Sequence, residues 1–419
     1  MSRRIAVVSA VNPFPSDAGK KVVLAGLLEY FADRHGPDSV HYVHVGPLEG
    51  SFPTPVTTVP EPRTREAMWQ VLTRTTTGRA SLQESLLRSP RTGAGIRQAL
   101  EQVRPDVIVY DTLRMAQYAE ETGAALRICY LDDLFSERYA TMLRTATRHP
   151  EIDIAPLGNF AAFVPSSLRP IAEHRRGWQT LLAVERRLVR RGEDRIPGRL
   201  DRALLISEPE ARTLRARTGF GEDRIMSVPP LLREPNALPR RPSDHPVYVF
   251  LGQLSLPHND DGVRSFLDSV WPLVLAADPR ARLRIIGRSP RDGLVAAAAA
   301  HGDSVSFAGF VPDLGKALAS ATAMVNHLRF GSGIKLKVIE ALGHGVPVVS
   351  TPIGAHGIDS CEGTGLLVGD SPGEFAAHLL SLGDRSYNAG ISEAALTHFA
   401  RAYSRDAVMG RYDQAFSVG

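Results

Sequence analysis

Short runs of apolar and β-branched residues alternate with amphipathic helical patterns along the first half of the chain. The predicted elements are a strand, a helix and four further strands, at residues 5–11, 22–35, 41–45, 107–110, 125–131 and 203–207. Apolar runs of this length are typical of strands that are buried on both faces. Their alternation with helices predicts an α/β domain with a doubly wound parallel sheet.

A second domain of the same design follows a proline-rich stretch. Residues 229–246 contain six prolines and no periodic pattern, which is typical of a linker. The alternation then restarts, with predicted strands at 247–251, 282–286, 304–307, 323–328 and 347–350 and predicted helices at 262–277, 314–320 and 334–342. A last amphipathic helical segment covers 400–416. The chain is thus expected to form two Rossmann-like domains.

Composition agrees with two soluble α/β domains and excludes several classes of function. The 419 residues fit two domains of about 200 residues each. The net charge of +4 is too small to indicate nucleic-acid binding. Cys129 and Cys361 lie far apart and outside any metal-binding spacing, so we expect no metal and a cytoplasmic location. No apolar run reaches the roughly 20 residues of a membrane span.

An arginine-rich stretch, 185–191, lies within a long and mainly helical segment between residues 143 and 192. Such a stretch is usually the solvated face of a helix. The alternative is a patch for an anionic acceptor or a membrane surface, so a peripheral membrane contact is retained as a possibility.

The segment 329–351 is the strongest candidate for a ligand site. A predicted strand runs into Gly331, Ser332 and Gly333 and then into a helix, a junction where backbone N–H groups approach an anion. Lys335 and Lys337 stand at the start of that helix, where the helix dipole disfavours a cation. The negative charge of a bound diphosphate would explain the presence of two lysines at this position.

Glu340 follows Lys337 by three residues, on the same face of the predicted helix. A carboxylate beside a phosphate site is suited to bind the two hydroxyls of a ribose. The alternative, a plain Lys337–Glu340 helix pair, does not explain the neighbouring glycines.

A second strand-to-helix junction, 12–21, carries Gly19, Lys20 and Lys21. It lacks the spacing of a P-loop. The two junctions together hold four of the five lysines in the chain, one junction in each domain. Because doubly wound sheets bind ligands at the carboxyl ends of their strands, both junctions are predicted to bind one diphosphate.

The second half resembles glycosyltransferase family 4. The matching motifs are GSGIKLKVIEA (331–341), GVPVVSTPIGAHG (345–357), FLG (250–252), PHN (257–259), GFVPD (309–313) and GLLVG (365–369). The resemblance covers 247–399 and is looser in the first half, where it rests on residues 12–21, 104–106 and 131–139.

This resemblance implies a GT-B fold, in which two Rossmann-like domains face a central cleft. It also implies a domain formed by 1–235 with a returning helix, 402–419, a linker at 236–246, and a nucleotide-sugar domain at 247–401. The implied activity is metal-independent transfer from a nucleotide-diphosphate sugar, with retention of the anomeric configuration and no cofactor.

Individual residues of this chain match functional positions in the family's motifs. Glu340 matches the glutamate that holds the ribose, and Lys335 and Lys337 match basic positions near the diphosphate. Gly19 falls in the glycine loop of the first domain. The residues Gly252, Phe310 and Val311 fall in loops that flank the nucleotide.

Three positions depart from the family pattern. Ser332 replaces the first glutamate of the family's paired glutamates, Gln253 replaces an arginine, and Asn259 replaces a lysine. Arg329 and the Lys20–Lys21 pair are candidates to replace the missing phosphate contacts. Because of these departures, a second interpretation is retained, in which the chain is a catalytically silent relative that acts as a binding or scaffold subunit.

Asp132 and Asp133, at the end of a predicted strand, are candidates for a catalytic base or a donor-sugar contact, together with Lys337 for catalysis. Their alternative role is to cap the helix that follows. His327 and His356 are weaker candidates, because a lone histidine is more often structural.

The acceptor is expected to be an antibiotic-like small molecule, and the alternative is a polysaccharide or lipid-linked glycan at the inner membrane face. A homodimer is compatible with the sequence. An epimerase would need further acidic and histidine groups, a phosphorylase would need a cofactor lysine, and a dehydrogenase would need a GxGxxG motif after the first strand.

Overall fold

A computed structural model describes residues 3–16, 19–120, 125–148, 175–235, 238–241, 243–331, 333–358 and 363–417. The chain divides into two compact units, called here the first and second domains. The first comprises the described residues of Met1–Ala140, Leu157–Leu232 and Val408–Gly419. The second comprises those of Thr141–Pro156 and Arg233–Ala407.

The described part of the first domain contains one parallel sheet of seven strands. They are β1 (Ile5–Ser9), β2 (Val40–Val45), β3 (Val56–Val59), β4 (Val107–Asp111), β5 (Leu126–Asp132), β6 (Arg202–Leu205) and β7 (Ile225–Ser227). Their order is β3-β2-β1-β4-β5-β6-β7. Every residue of β1 and β4 is buried, as expected for strands covered by helices on both faces.

The helices of the first domain cover the faces of its sheet. They are α1 (Gly19–His35), α2 (Thr64–Gln70), which continues as a π-helical turn (Val71–Thr75), α3 (Leu82–Leu86), α4 (Pro90–Val103), α5 (Thr112–Ala116), α7 (Arg175–Arg199) and α8 (Glu208–Thr218). A further helix, α6 (Phe135–Arg148), begins in the first domain, and its residues from Thr141 belong to the second. A 3₁₀ turn covers Pro37–Ser39.

The second domain has a parallel sheet of six strands in its described residues. They are β8 (Val247–Leu251), β9 (Arg282–Ile286), β10 (Val305–Gly309), β11 (Ala323–Asn326), β12 (Val348–Ser350) and β13 (Leu366–Val368), in the order β10-β9-β8-β11-β12-β13. Its core packs Phe250, Phe266, Trp271 and Phe375 around the strands.

The helices that accompany the second sheet are α9 (Pro257–Ser269), α10 (Trp271–Ala277), α11 (Asp292–Ala299), α12 (Leu314–Ala319), α13 (Leu336–Gly343), α14 (Pro352–Ala355), α15 (Pro372–Ser381) and α16 (Arg385–Ala402). A 3₁₀ turn covers Gly302–Ser304. The last helix, α17 (Arg405–Phe416), packs on α1, with the rings of Phe31 and Phe416 4.7 Å apart.

Both sheets have a topological switch point, where consecutive connections leave in opposite directions. It lies between β1 and β4 in the first sheet and between β8 and β11 in the second. Ligands of open α/β sheets bind at the carboxyl ends of the strands at such a point. Both predicted junctions begin there.

Two helix predictions were wrong in their boundaries. The helix predicted at 262–277 is two helices that meet at Val270, because Pro272 has no N–H group to continue the ladder of α9. The segment 400–416 is also divided: α16 ends at Ala402, and the Ser404 hydroxyl accepts a hydrogen bond from Ala407 N as α17 begins. Most of the segment before α7 lies outside the described residues.

The close approach of α9 to the chain after β11 depends on one glycine. A Cβ added to Gly262 would lie 2.3 Å from the carbonyl oxygen of His327. The Nδ1 atom of His327 lies 3.3 Å from the Gly262 carbonyl, so the contact is reciprocal. This approach places the start of α9 beside the β11–α13 connection.

We expect Gly262→Ala to destabilise the second domain by about 1–3 kcal/mol, because backbone must move to admit the methyl group. The matched control is Gly390→Ala in α16, where an added Cβ meets nothing within 4 Å. The control should be neutral or stabilising by up to about 1 kcal/mol, since alanine is the better helix former. Urea denaturation measures both, and equal effects would refute the packing role of Gly262.

Candidate functional site

The strongest candidate site lies at the switch point of the second sheet. β8 ends at Leu251 and leads through Gly252 and Gln253 into α9, while β11 ends at Asn326 and leads into α13. The backbone of these turns is tightly packed: a Cβ added to Gly287, after β9, would lie 1.8 Å from the Gly252 carbonyl oxygen. Side chains from several strand ends are thus brought to one edge.

Asn259 connects the two sides of this switch point. Its Nδ2 donates to the Gln253 carbonyl at 2.9 Å, and its Oδ1 accepts from Lys337 Nζ at 3.1 Å. The Lys337 ammonium also lies 4.4 Å from the centre of the Phe250 ring. Asn259 therefore fixes the amine of Lys337, a role that the family comparison at this position did not predict.

The Lys337 ammonium is destabilised by its surroundings. Burial, together with the charge of Lys335, lowers the pKa of Lys337 to about 7. Burial and the charges of the same two lysines lower the pKa of His258 to about 4, so that its imidazole is neutral at pH 7. An anion bound beside Lys337 would favour its charged form.

The loop before α13 has the backbone conformation that only glycine adopts readily. Gly331 has φ of 134° and Gly333 has φ of 68°. Lys335 is the N-cap residue of α13, and its Nζ donates to the Gly333 carbonyl at 2.6 Å. Ser332 lies outside the described residues. The loop and the first turn of α13 form a backbone arrangement suited to an anion.

Other predicted residues of the second domain have different surroundings. Arg329 forms a two-point ion pair with Asp261, with Nε 3.0 Å from Oδ2. Glu340 is exposed, in the second turn of α13. After β10, the exposed Phe310 ring stacks under the guanidinium of Arg288 at 3.8 Å, and Val311 follows it. Arg288 was not recognised in the sequence.

A second cluster lies at the switch point of the first sheet. Gly19 begins α1, and Lys20 Nζ lies 2.6 Å from Asp111 Oδ1 and 3.3 Å from Asp132 Oδ2. Ser9 donates to the other oxygen of Asp111 at 2.6 Å. Asp111 was missed in the sequence, since only its place at the end of β4 distinguishes it.

Asp133 is separate from this cluster, although it is adjacent in sequence. Its carboxylate pairs with Arg138, whose Nε lies 3.0 Å from Oδ2. The N–H of Leu134 donates to Glu210 at 3.2 Å. The N–H of Ser136, in the first turn of α6, donates to Glu193 at 2.9 Å, so both of these N–H groups are bonded to glutamates. His327 is packed against Phe266 and Phe375, and His356 is exposed.

Residues 245–385 match the family model described as group 1 glycosyl transferases. The match lies within the second domain. A 159-residue stretch of the chain is also 26% identical to an uncharacterised 44.6 kDa protein of the cps region of Klebsiella pneumoniae. That match covers 36% of this chain, and the chain spans 40% of the length of the relative.

Solved structures resemble the whole chain. Sucrose-phosphate synthase from Thermosynechococcus elongatus has a TM-score of 0.62 at 15% identity, over 99% of this chain and 98% of that one. Anabaena Alr3699/HepE, solved in complex with UDP, has a TM-score of 0.61 at 14% identity, over 99% of both chains. The predicted GT-B fold of two Rossmann-like domains is confirmed.

Two features are absent from the described part of the chain. It contains no helix that is both long and apolar enough to cross a bilayer. In the same residues no group of three or more histidine, cysteine, aspartate or glutamate side chains is placed to hold a metal ion.

The low pKa of Lys337 predicts a pH-dependent contribution to stability. Between about pH 7 and pH 10.5 the unfolded chain binds more protons at this residue than the folded chain. The free energy of unfolding of the wild type, relative to Lys337→Met, should therefore rise with pH across this window. Urea titrations from pH 6 to pH 9 measure it. Lys316→Met, at an exposed lysine of the same domain, controls for the loss of a charge. If the difference in free energy of unfolding between the wild type and Lys337→Met did not change with pH, the low pKa of Lys337 would be contradicted.

Proposed function

We propose that the protein is a glycosyltransferase that uses a nucleotide-diphosphate sugar as its donor. The observation that carries the proposal is the Lys337 amine, which Asn259 holds beside the glycine loop and the start of α13. A buried amine next to an anion-binding backbone is suited to a diphosphate. The group 1 domain match over the same residues supports this assignment.

The reaction breaks the bond between the anomeric carbon and the β-phosphate oxygen of the donor. A bond then forms from an acceptor hydroxyl oxygen to that carbon, the hydroxyl proton is released, and the nucleoside diphosphate leaves with its negative charge. Lys335, Lys337 and the N–H groups at the start of α13 would stabilise that charge. Preorganised positive groups of this kind usually contribute more than any other effect to lowering such a barrier.

Other residues of the second domain would bind the nucleoside. Glu340 is proposed to accept hydrogen bonds from the ribose hydroxyls, and Phe310 and Val311 to flank the base. Gly252 and Gln253 would contribute backbone groups near the diphosphate, as would Gly331 and Gly333. UDP is the first nucleotide to test, since the neighbour HepE was solved with it.

The finer parts of the proposal concern stereochemistry and the acceptor. We include retention of the anomeric configuration and independence of a metal ion, both of which rest on the resemblance of the motif 331–341. The acceptor is proposed to be a small molecule, with a glycan as the alternative, and acceptor panels of both classes would distinguish them.

Nucleoside diphosphate binding should raise the melting temperature of the protein. A ligand at 100 times its Kd stabilises by about 2.7 kcal/mol, so one of UDP, GDP, ADP and dTDP should give a clear shift. Glu340→Ala should reduce the shift, whereas Glu393→Ala, at an exposed glutamate in α16, should retain it. If no nucleotide shifts the melting temperature, the enzyme assignment fails and a silent binding subunit becomes the better description.

Transfer should proceed with retention and in the presence of EDTA. With the stabilising nucleotide's sugar conjugates as donors, proton NMR of the first-formed product should show the anomeric configuration of the donor. The rate should not change when EDTA is added. An inverted product, or activity that EDTA abolishes and a divalent cation restores, would contradict this part of the proposal.

A further inference from the structure

A cavity of about 610 Å³ lies in the second domain, at the edge of the sheet opposite to the candidate site around Lys337. Its lining includes Pro246 and Tyr248, at the start of β8, and Thr322, directly before β11. The candidate site around Lys337 lies at the carboxyl ends of the same two strands. Because these strands are parallel, the cavity lies at their amino ends and is separate from that site.

Three segments of the second domain form most of the wall of this cavity. They are the chain before β8, the end of α15 and the first half of α16, with lining residues that include Ser243, Leu380, Leu382, Ser392 and Leu396. Sites for small molecules have volumes of roughly 300–1,000 Å³ and combine an apolar lining with a few polar groups. The cavity has the size and the mixed lining of such a site.

Arg240 lines the cavity and is held there by neutral groups. Its Nη1 donates to Asn388 Oδ1 at 2.8 Å, and its Nη2 donates to the carbonyl oxygen of Ala321. Its Nε is buried and has no hydrogen-bond partner among the described residues. Burial lowers the pKa of Arg240 to about 10, and no charged group of the described chain opposes that effect. The guanidinium is thus a partly buried cation without a carboxylate partner.

Asn388 fixes the orientation of this guanidinium. Its Nδ2 donates to the carbonyl oxygens of Thr322 and Leu382, each at 2.9 Å, so that its Oδ1 is directed to Arg240. The side chain of Asn388 is 7% exposed. A buried amide whose hydrogen bonds are all made has one favourable orientation. The fold therefore positions the charge of Arg240 before any ligand arrives.

The other arginines of the described lining are already paired. Arg280 Nε lies 3.4 Å from Asp278 Oδ1, and Arg385 Nη2 lies 3.4 Å from Asp244 Oδ1. Glu393 is an exposed carboxylate on α16 and can accept a hydrogen bond from a hydroxyl. A buried charge is costly unless an opposite charge pairs with it. An anionic group in the cavity would supply the opposite charge that the guanidinium lacks.

We propose that this cavity binds a small organic anion whose carboxylate or phosphate group pairs with Arg240 and whose hydroxyl groups bond to Ser392 and Glu393. Arginine forms strong, charge-assisted hydrogen bonds with either kind of anion. The Ser392 hydroxyl donates to the Gly345 carbonyl at 2.6 Å, which leaves its oxygen free to accept from a ligand. The inference does not depend on the proposed transfer activity, since the cavity is at the other edge of the sheet.

Gluconate, sorbitol 6-phosphate and sorbitol test the proposal, because they share one hydroxylated chain and differ in the group at its end. At ten times its Kd a ligand should raise the melting temperature by about 2–5 °C. At matched ionic strength we expect a shift with gluconate or sorbitol 6-phosphate and none with sorbitol. The larger shift identifies the anionic group as a carboxylate or a phosphate. If neither anion shifts the melting temperature at about 20 mM, the proposal is overturned.

Two substitutions in the lining test the place of binding. Arg240→Gln keeps a donor for the Ala321 carbonyl but removes the charge, and should weaken binding about tenfold or more. If that variant does not fold, Ala389→Met, at an exposed position of the lining, should abolish the shift by filling the cavity. The matched control is Ser386→Met, at an exposed position of α16 outside the lining, which should retain the shift. A shift that survives in Arg240→Gln or in Ala389→Met would refute the assignment.

An anion could bind instead beside the lysines at the start of α13, and two measurements distinguish the sites. In Lys337→Met the shift with gluconate or sorbitol 6-phosphate should persist, and its loss would assign the anion to the donor site. Hydrogen exchange should be slowed by the anion in peptides covering 243–248 and the first half of α16, whereas slowing confined to 331–343 would overturn the inference. Failure of every nucleotide to stabilise the protein would contradict the proposed function alone, because these outcomes concern the cavity.

Discussion

The burial of the Lys337 amine, between the Phe250 ring and the Asn259 amide, is the interaction on which the site of the second domain depends. Removing a cation from water is unfavourable, and the low pKa of Lys337 measures that cost. The carbonyl of Gln253 holds the Asn259 amide in place, and Gly331 and Gly333 before α13 have positive φ angles. An anion bound beside this amine would offset that cost, because it would favour the charged form.

The two domains share one sheet topology, but the lysine at the switch point has opposite surroundings in each. In each, a strand-to-helix junction at the switch point supplies an amine. In the second domain the amine contacts an amide and an aromatic ring, so its charge is available to a ligand. In the first domain the amine of Lys20 pairs with the carboxylates of Asp111 and Asp132, so its charge is neutralised within the fold. The same sheet topology thereby leaves the charge of a lysine available in one domain and neutralises it in the other.

The central strands of both sheets and the ligand junction of the second domain could be predicted from the sequence. The central strands are continuous apolar runs, and the junction combines glycines with lysines. The strands Val56–Val59, Ile225–Ser227 and Leu366–Val368 were missed, since they are short and lie at the sheet edges, where the pattern is weak. The pairing of Lys20 with Asp111 was also missed. These residues are 91 positions apart, and only the parallel pairing of β1 with β4 brings them together.

The low pKa of Lys337 has a practical consequence for chemical labelling. Acylating reagents attack the neutral amine, and an amine that is half deprotonated near pH 7 reacts faster than one that is almost fully protonated. The chain has five lysines, so a dilute acylating reagent at neutral pH would give a simple peptide map in which modification of Lys337 is easily followed. A bound diphosphate would raise the pKa of that amine, so that it is protonated at neutral pH, and would shield it from the reagent. Reagent protection at one residue would then report how much of the protein is occupied, even in a crude extract where turnover is hard to measure.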